Sequence, residues 1–107
     1  MINGKNRRDV EMLNTAFGLP ERLEDHTLAD AIRLTRAAIY VKDSAFLHFN
    51  LACFYSASSR ITESLMEIET ALEQGFNNWD RIAQEPALRE ARRTAEFWQI
   101  INRYNSN

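Results

Sequence analysis

Residues 45–57 read AFLHFNLACFYSA. Ten of the thirteen are apolar or aromatic, and only His48, Asn50 and Ser56 interrupt them. Wound at about 3.6 residues per turn, such a run leaves no polar face. A helix that is apolar all round has to be covered on more than one side. It lies between two neighbours, or it keeps one face for a partner. Asp43-Ser44 just ahead of it are good capping residues, which places its start at Ala45.

The flanking segments supply the neighbours. After residue 60, Ile61, Leu65, Ile68 and Leu72 recur at helical spacing, while Glu63, Glu67, Glu69 and Glu73 fall largely elsewhere. This predicts a helix over 61–74, ended by Gly75 as a left-handed cap residue, with Phe76 placed to pack back on the last turn. Trp79 to Ala83 predict one or two turns, and Pro86 suits the first turn of a short helix reaching about Ala91. Thr94 to Tyr104 closes the chain, with Phe97, Ile100, Ile101 and Tyr104 on one face.

On the N-terminal side, Thr27 is expected to cap a helix, with Asp30 three residues on as a variant of the capping box. Its stripe is Leu28, Ala31, Ile32, Thr35, Ala38 and Ile39, and it should end near Val41 or Lys42. Val10, Leu13 and Phe17 predict a further helix from Lys5 to Phe17, stopped by Gly18-Leu19-Pro20. The alternative is that residues 1–26 form an arm packed on the rest. The fold class expected is all-α, with antiparallel helix pairs joined by short loops.

Composition agrees. A length of 107 residues argues for one domain, since domains cluster at roughly 100–150 residues. The 45% apolar and 26% charged content is that of a globular chain, and three Gly with two Pro disfavour a turn-rich β architecture. Lys and Arg number 13 against 15 Asp and Glu, a net charge of −2. The basic groups Lys5-Arg7-Arg8 and Arg89-Arg92-Arg93 are small and interleaved with acids. They read as solvated faces, so no nucleic-acid partner is expected. Cys53 is the one cysteine, and with His26 and His48 it offers no ligand spacing. No metal and no cofactor are expected. No Gly-rich phosphate loop, nucleophile elbow or paired-carboxylate constellation is present, so the chain is not read as an enzyme. No apolar run approaches the ~18–20 residues of a spanning helix, and no signal-peptide pattern follows the N-terminal basic residues. No membrane role is expected, and the compartment expected is cytoplasmic.

A repeat is also visible. Ala31 and Ala38 recur as Ser64 and Ala71, 33 residues on. The helix pair from Phe49 to Phe76 resembles the tetratricopeptide repeat (TPR), a helix–turn–helix unit of about 34 residues. Counted from Ala45, Leu51 and Ala52 fill the seventh and eighth places and Tyr55 the eleventh. Ser64, Ile68 and Ala71 fill the twentieth, twenty-fourth and twenty-seventh. Ser59 stands where Gly usually makes the turn, and Phe76 where Pro usually ends the unit. The run after it looks like the tail that ends many bacterial repeat arrays. Gly75, Trp79, Glu85-Pro86-Ala87-Leu88, Ala91-Arg92 and Phe97 take its marked places, with Glu85 for the usual Asp and Ala95 for a second Pro. The resemblance covers residues 27–104. It implies a single domain over 1–107, a short right-handed stack of helix pairs over 27–76 with its best unit at 45–76, and a capping tail over 77–104.

The resemblance also implies a function. Such repeats bind peptides or protein segments in a groove lined by the first helix of each unit. The groove-facing places fall on Phe46, Phe49, Cys53 and Ser56. Phe49 and Cys53 stand where a carboxylate-gripping subclass has Lys and Asn, so no charged donor is there for a C-terminal carboxylate. The chain is therefore expected to be a small adaptor or scaffold that takes a protein segment in an apolar groove. The alternatives are a chaperone of a secreted or assembled subunit, or a homodimer that covers the groove with its own twin. The opposing structural expectation is that these four residues are buried by the N-terminal helix or the C-terminal tail.

Overall fold

A computed structural model describes residues 25–105, and all regular structure within them is helical. The helices are α1 (Asp25–Val41), α2 (Ala45–Ala57), α3 (Ile61–Glu73), α4 (Trp79–Gln84), α5 (Arg89–Arg92) and α6 (Ala95–Tyr104), and a 3-10 turn over Pro86–Leu88 joins α4 to α5. The helix expected over 5–17 lies outside the described residues, as does most of the arm over 1–26. α1 is described from Asp25, so Thr27 lies within the helix and not at the cap position expected for it. The cap of α2 is the expected one, and Thr94, expected as the first residue of the closing helix, stands one place ahead of α6 and caps it. Ser44 Oγ accepts from the Leu47 amide at 3.3 Å, and Thr94 Oγ1 from the Phe97 amide at 3.2 Å.

α2 and α3 form an antiparallel hairpin. Ser64 Oγ donates to the Ala52 carbonyl at 2.7 Å, His48 meets Glu67, and the Gln74 amide donates to Asp43. Residue numbers fall along one helix as they rise along the other. Ala52, Ser64 and Ala71 are fully buried, and these small side chains let the two backbones approach. α1 packs on another side of α2, placing Leu28, Ala31 and Ile32 against Leu51, Phe54 and Tyr55. The remaining apolar face of α2 joins α3 and the C-terminal elements in a second cluster, to which Ile82, Leu88, Ala91, Phe97, Ile100 and Ile101 contribute. α2 thus lies between neighbours over most of its apolar surface, with Phe46 left partly open, which is close to the first of the two arrangements its composition allows.

α2 and α3 end in the same way. After α2 the Ser59 amide donates to the Ser56 carbonyl and the Arg60 amide to that of Tyr55. After α3 the Gly75 amide donates to the Leu72 carbonyl and the Phe76 amide to that of Ala71. Both are Schellman motifs, in which a left-handed residue turns the chain back over the last helical turn. That residue is Gly75 (φ 101°) in α3 and Ser59 (φ 62°) in α2. The residue after each completes the motif by contact. Arg60 lays its guanidinium 4.7 Å from the Tyr55 ring centroid, and Phe76 packs against the core.

A left-handed L-residue costs about 1–2 kcal/mol and glycine about nothing. Ser59→Gly is therefore expected to stabilise the chain, by up to about 1 kcal/mol after the unfolded-state entropy of glycine is subtracted. Gly75→Ala should destabilise it by about 1 kcal/mol. A Cβ on Gly75 meets nothing within 4 Å, so the cost there is conformational alone. Urea denaturation of both variants measures the pair.

Candidate interaction groove

Phe46, Phe49, Cys53 and Ser56 share one face of α2, as their spacing requires, but most of that face is closed. Phe49 is 0% exposed, Cys53 3% and Ser56 1%; Phe46 alone is open, at 46%. The expectation that Phe49, Cys53 and Ser56 line an open groove is corrected here. The C-terminal tail fills that place. Phe76 stacks on Phe49 with ring centroids 4.3 Å apart and planes 13° from parallel. The Arg81 guanidinium lies 5.3 Å from the same ring centroid. Ser56 Oγ accepts the Ala91 amide at 3.3 Å.

Charges fix the tail's own shape. Glu85 is buried, with Oε1 3.0 Å from Arg81 Nε and Oε2 accepting from the Ala87 amide at the start of the 3-10 turn. Arg92 donates to the carbonyls of Ile82 and Glu85 at 3.1 and 2.7 Å, tying α5 back to α4. Burial, with Glu85 nearby, pushes the Cys53 thiol well above its ordinary range, so no thiolate forms there. Asn50 is buried on α2, and its Nδ2 has no hydrogen-bond partner.

A different groove lies on another side of α2. His48, Leu51 and Tyr55 follow one another at i, i+3 and i+7 and form its floor. Arg36, Ile39 and Tyr40 of α1 form one wall, Glu67 of α3 the other, around a depression of about 370 Å³. A second depression of about 440 Å³ continues past Arg36, between Ala29, Ile32 and Arg33 of α1 and Arg60 at the start of α3. The Arg36 guanidinium, common to both, reaches the Tyr55 hydroxyl at 3.4 Å. Tyr40 is 92% exposed at the rim. Arg33 pairs with Asp30, and Arg60 with Glu63.

His48 closes one end of this groove. Its Nδ1 lies 2.5 Å from Glu67 Oε1 and its Nε2 2.6 Å from Asp43 Oδ1. A neutral imidazole has one N–H, so only the doubly protonated ring donates to both carboxylates. Partial burial disfavours that charge. The bonds to Glu67 and Asp43 outweigh it, and the pKa is raised above its ordinary value. The bond from His48 in turn holds Asp43 below the usual carboxylate range. Sequence reasoning saw His48 only as a polar residue at an apolar place. The signal for this cluster is the hairpin register, which sets residue 48 opposite 67.

No family model matches the sequence. No solved structure gives a significant match. The chain is similar to a chloroplast protein of Arabidopsis thaliana, at 24% identity over 66 residues. The aligned stretch is 62% of this chain and 20% of that protein, so the likeness spans about a fifth of the relative's length. Among the described residues, no helix is long and apolar enough to cross a membrane.

Truncation separates the two ends of the face expected to bind. Phe49→Ala should cost about 3–5 kcal/mol, as for a fully buried phenylalanine. Phe46→Ala should cost less than about 1 kcal/mol, in line with its exposure. Thermal and urea unfolding of the two variants measures the difference.

Proposed function

We propose that this chain is a non-catalytic protein–protein interaction module, the end unit of a tetratricopeptide-type stack. It acts as a small adaptor or scaffold and holds a segment of another protein in the groove between α1 and α3. The burial of the resemblance's marked positions supports the family reading. Leu51, Ala52, Tyr55, Ser64, Ile68 and Ala71 are all buried in the hairpin. Ala31, at the matching place of a preceding second helix, is also buried against α2. Gly75, Trp79, Glu85 and Phe97 take, in sequence order, the places that the resemblance gives to an array-ending cap. A single buried thiol fits a reducing compartment and supports a cytoplasmic role.

The observation that carries the interaction reading is the groove itself. Leu51 and the Tyr55 ring give its floor an apolar part beside His48, its walls carry Arg36 and Glu67, and Tyr40 stands almost wholly in solvent beside it. A partly apolar depression with a few polar groups at its edge suits one anchoring side chain of a bound segment. An exposed tyrosine supplies contact area at little entropic cost.

Tyr40→Glu tests this surface. The residue is exposed, so the variant should unfold at the wild-type midpoint. Immobilised wild-type chain should retain a defined protein that Tyr40→Glu releases and that Met66→Glu, an exposed site outside the groove lining, still holds. Light scattering should give a constant 12.4 kDa, the mass of one chain. Equal retention by Tyr40→Glu would overturn the groove. A species of twice that mass, split by Tyr40→Glu, would replace the adaptor with a self-paired chain.

A further inference from the structure

Asp43, His48 and Glu67 sit on three separate pieces of the fold: the turn after α1, α2, and the middle of α3. We propose that they form a proton-operated latch, which pins the 42–44 turn and the start of α2 to α3 and so sets the wall of the groove. The latch is a property of the chain alone. Its bearing on partner binding rests on the interaction role proposed above.

The geometry carries the argument. Each ring nitrogen of His48 has one carboxylate oxygen as its neighbour, at 2.5 and 2.6 Å, and the two carboxylates come from opposite sides. With both nitrogens protonated, one cation bridges two anions. When the ring gives one proton to solvent, one nitrogen turns a lone pair on a carboxylate oxygen at the same distance. The two carboxylates also lose the positive charge between them. Asp43 is the partner that gives way, because its side chain is 58% exposed against 23% for Glu67, and water can take over its hydrogen bonds.

Release of Asp43 reaches further than one side chain. Its Oδ1 also accepts from the Ser44 amide at 2.9 Å, and its Oδ2 from the Gln74 side chain at 3.1 Å. Ser44 is the residue that caps α2. The latch therefore joins the cap of α2 to both the middle and the end of α3. From α1, Arg36 and Tyr40 line the same depression as His48 and Glu67. Arg36 is directed to the Tyr55 hydroxyl. The charged groups that act on the ring are Glu67 of α3 and Asp43 of the turn before α2.

The sign follows from the raised folded-state pKa. The latch is fully closed below the ordinary histidine value near 6.5 and is lost as pH rises through the folded value. Each unit by which the folded value exceeds the unfolded one is a tenfold change in the unfolding constant across the titration.

Imidazole nitrogen-15 NMR on the full chain tests the latch. His26→Gln leaves His48 as the only histidine. Both ring nitrogens should give protonated shifts at about pH 6, with a titration midpoint above the ordinary value near 6.5, and Asp43→Asn and Glu67→Gln should each lower that midpoint. Amide exchange in the first turn of α2, corrected for intrinsic rate, should increase above the midpoint in the parent chain and be high at all pH in Asp43→Asn. In the His26→Gln chain the unfolding midpoint in urea should fall as pH rises past the ordinary histidine value near 6.5, and adding His48→Gln should remove most of that fall. A His48 midpoint at or below the ordinary value overturns the proposal. So does a midpoint unmoved by both Asp43→Asn and Glu67→Gln, or exchange that ignores the titration. If His48→Gln fails to fold, the exposed Asp43→Asn supplies the comparison.

Discussion

The structure depends on one ring placed on another. Phe76 lies flat against Phe49 because Gly75 turns the chain back over the end of α3. That contact starts the tail along the face of α2 that would otherwise be open. Arg81 then comes over the same Phe49 ring, Ala91 bonds to Ser56, and Phe97 and Ile101 join the same core cluster. A helix with no polar face is stable in water only when every side is covered. α1 and α3 cover two sides of α2, and the stacked phenylalanines recruit the cover for the third.

This arrangement moves the candidate binding surface. A face expected to receive a partner instead receives the chain's own tail, joined to it through Phe49 and Ser56 and braced within itself by the Arg81–Glu85 pair and the Arg92 guanidinium. What stays open is the trough above His48, Leu51 and Tyr55, where α1 and α3 stand apart on α2. That trough is edged by charge, whereas the closed face is mostly apolar. A buried apolar face contributes stability whatever lies on it. A charged rim discriminates among partners through the cost of desolvating and pairing each group.

Most of the architecture was legible because local signals agreed with one another. Ser44 and Thr94 announced helix starts, and the positions of Gly75 and Ser59 marked left-handed turns, one with the usual residue and one without it. Helix boundaries from Ala45 onward follow those punctuation residues closely. α1 was less so, since Asp25 already lies in it, ahead of the threonine expected to cap it. The site was less legible. Spacing placed Phe46, Phe49, Cys53 and Ser56 on one face, and it was right about the face. Periodicity identifies which residues share a side of a helix, but not what lies on that side. Coverage depends on contacts between residues 27 and 35 positions apart, such as Phe49 with Phe76 and Ser56 with Ala91, for which no local pattern exists. The His48 cluster was hidden for the same reason. Its members are ordinary acids and a histidine until the hairpin register brings 43, 48 and 67 together.

The position of Cys53 has a further consequence. It is the chain's only thiol, and it lies under the tail in surroundings that disfavour the reactive thiolate. Oxidants and alkylating agents therefore meet it only when the tail lifts, so its modification reports that opening. Once modified, a bulkier sulfur no longer fits beneath the tail, which cannot settle back as before. Each molecule thus keeps a chemical memory of its own past openings, and an ageing population would sort itself into chains that have opened and chains that have not.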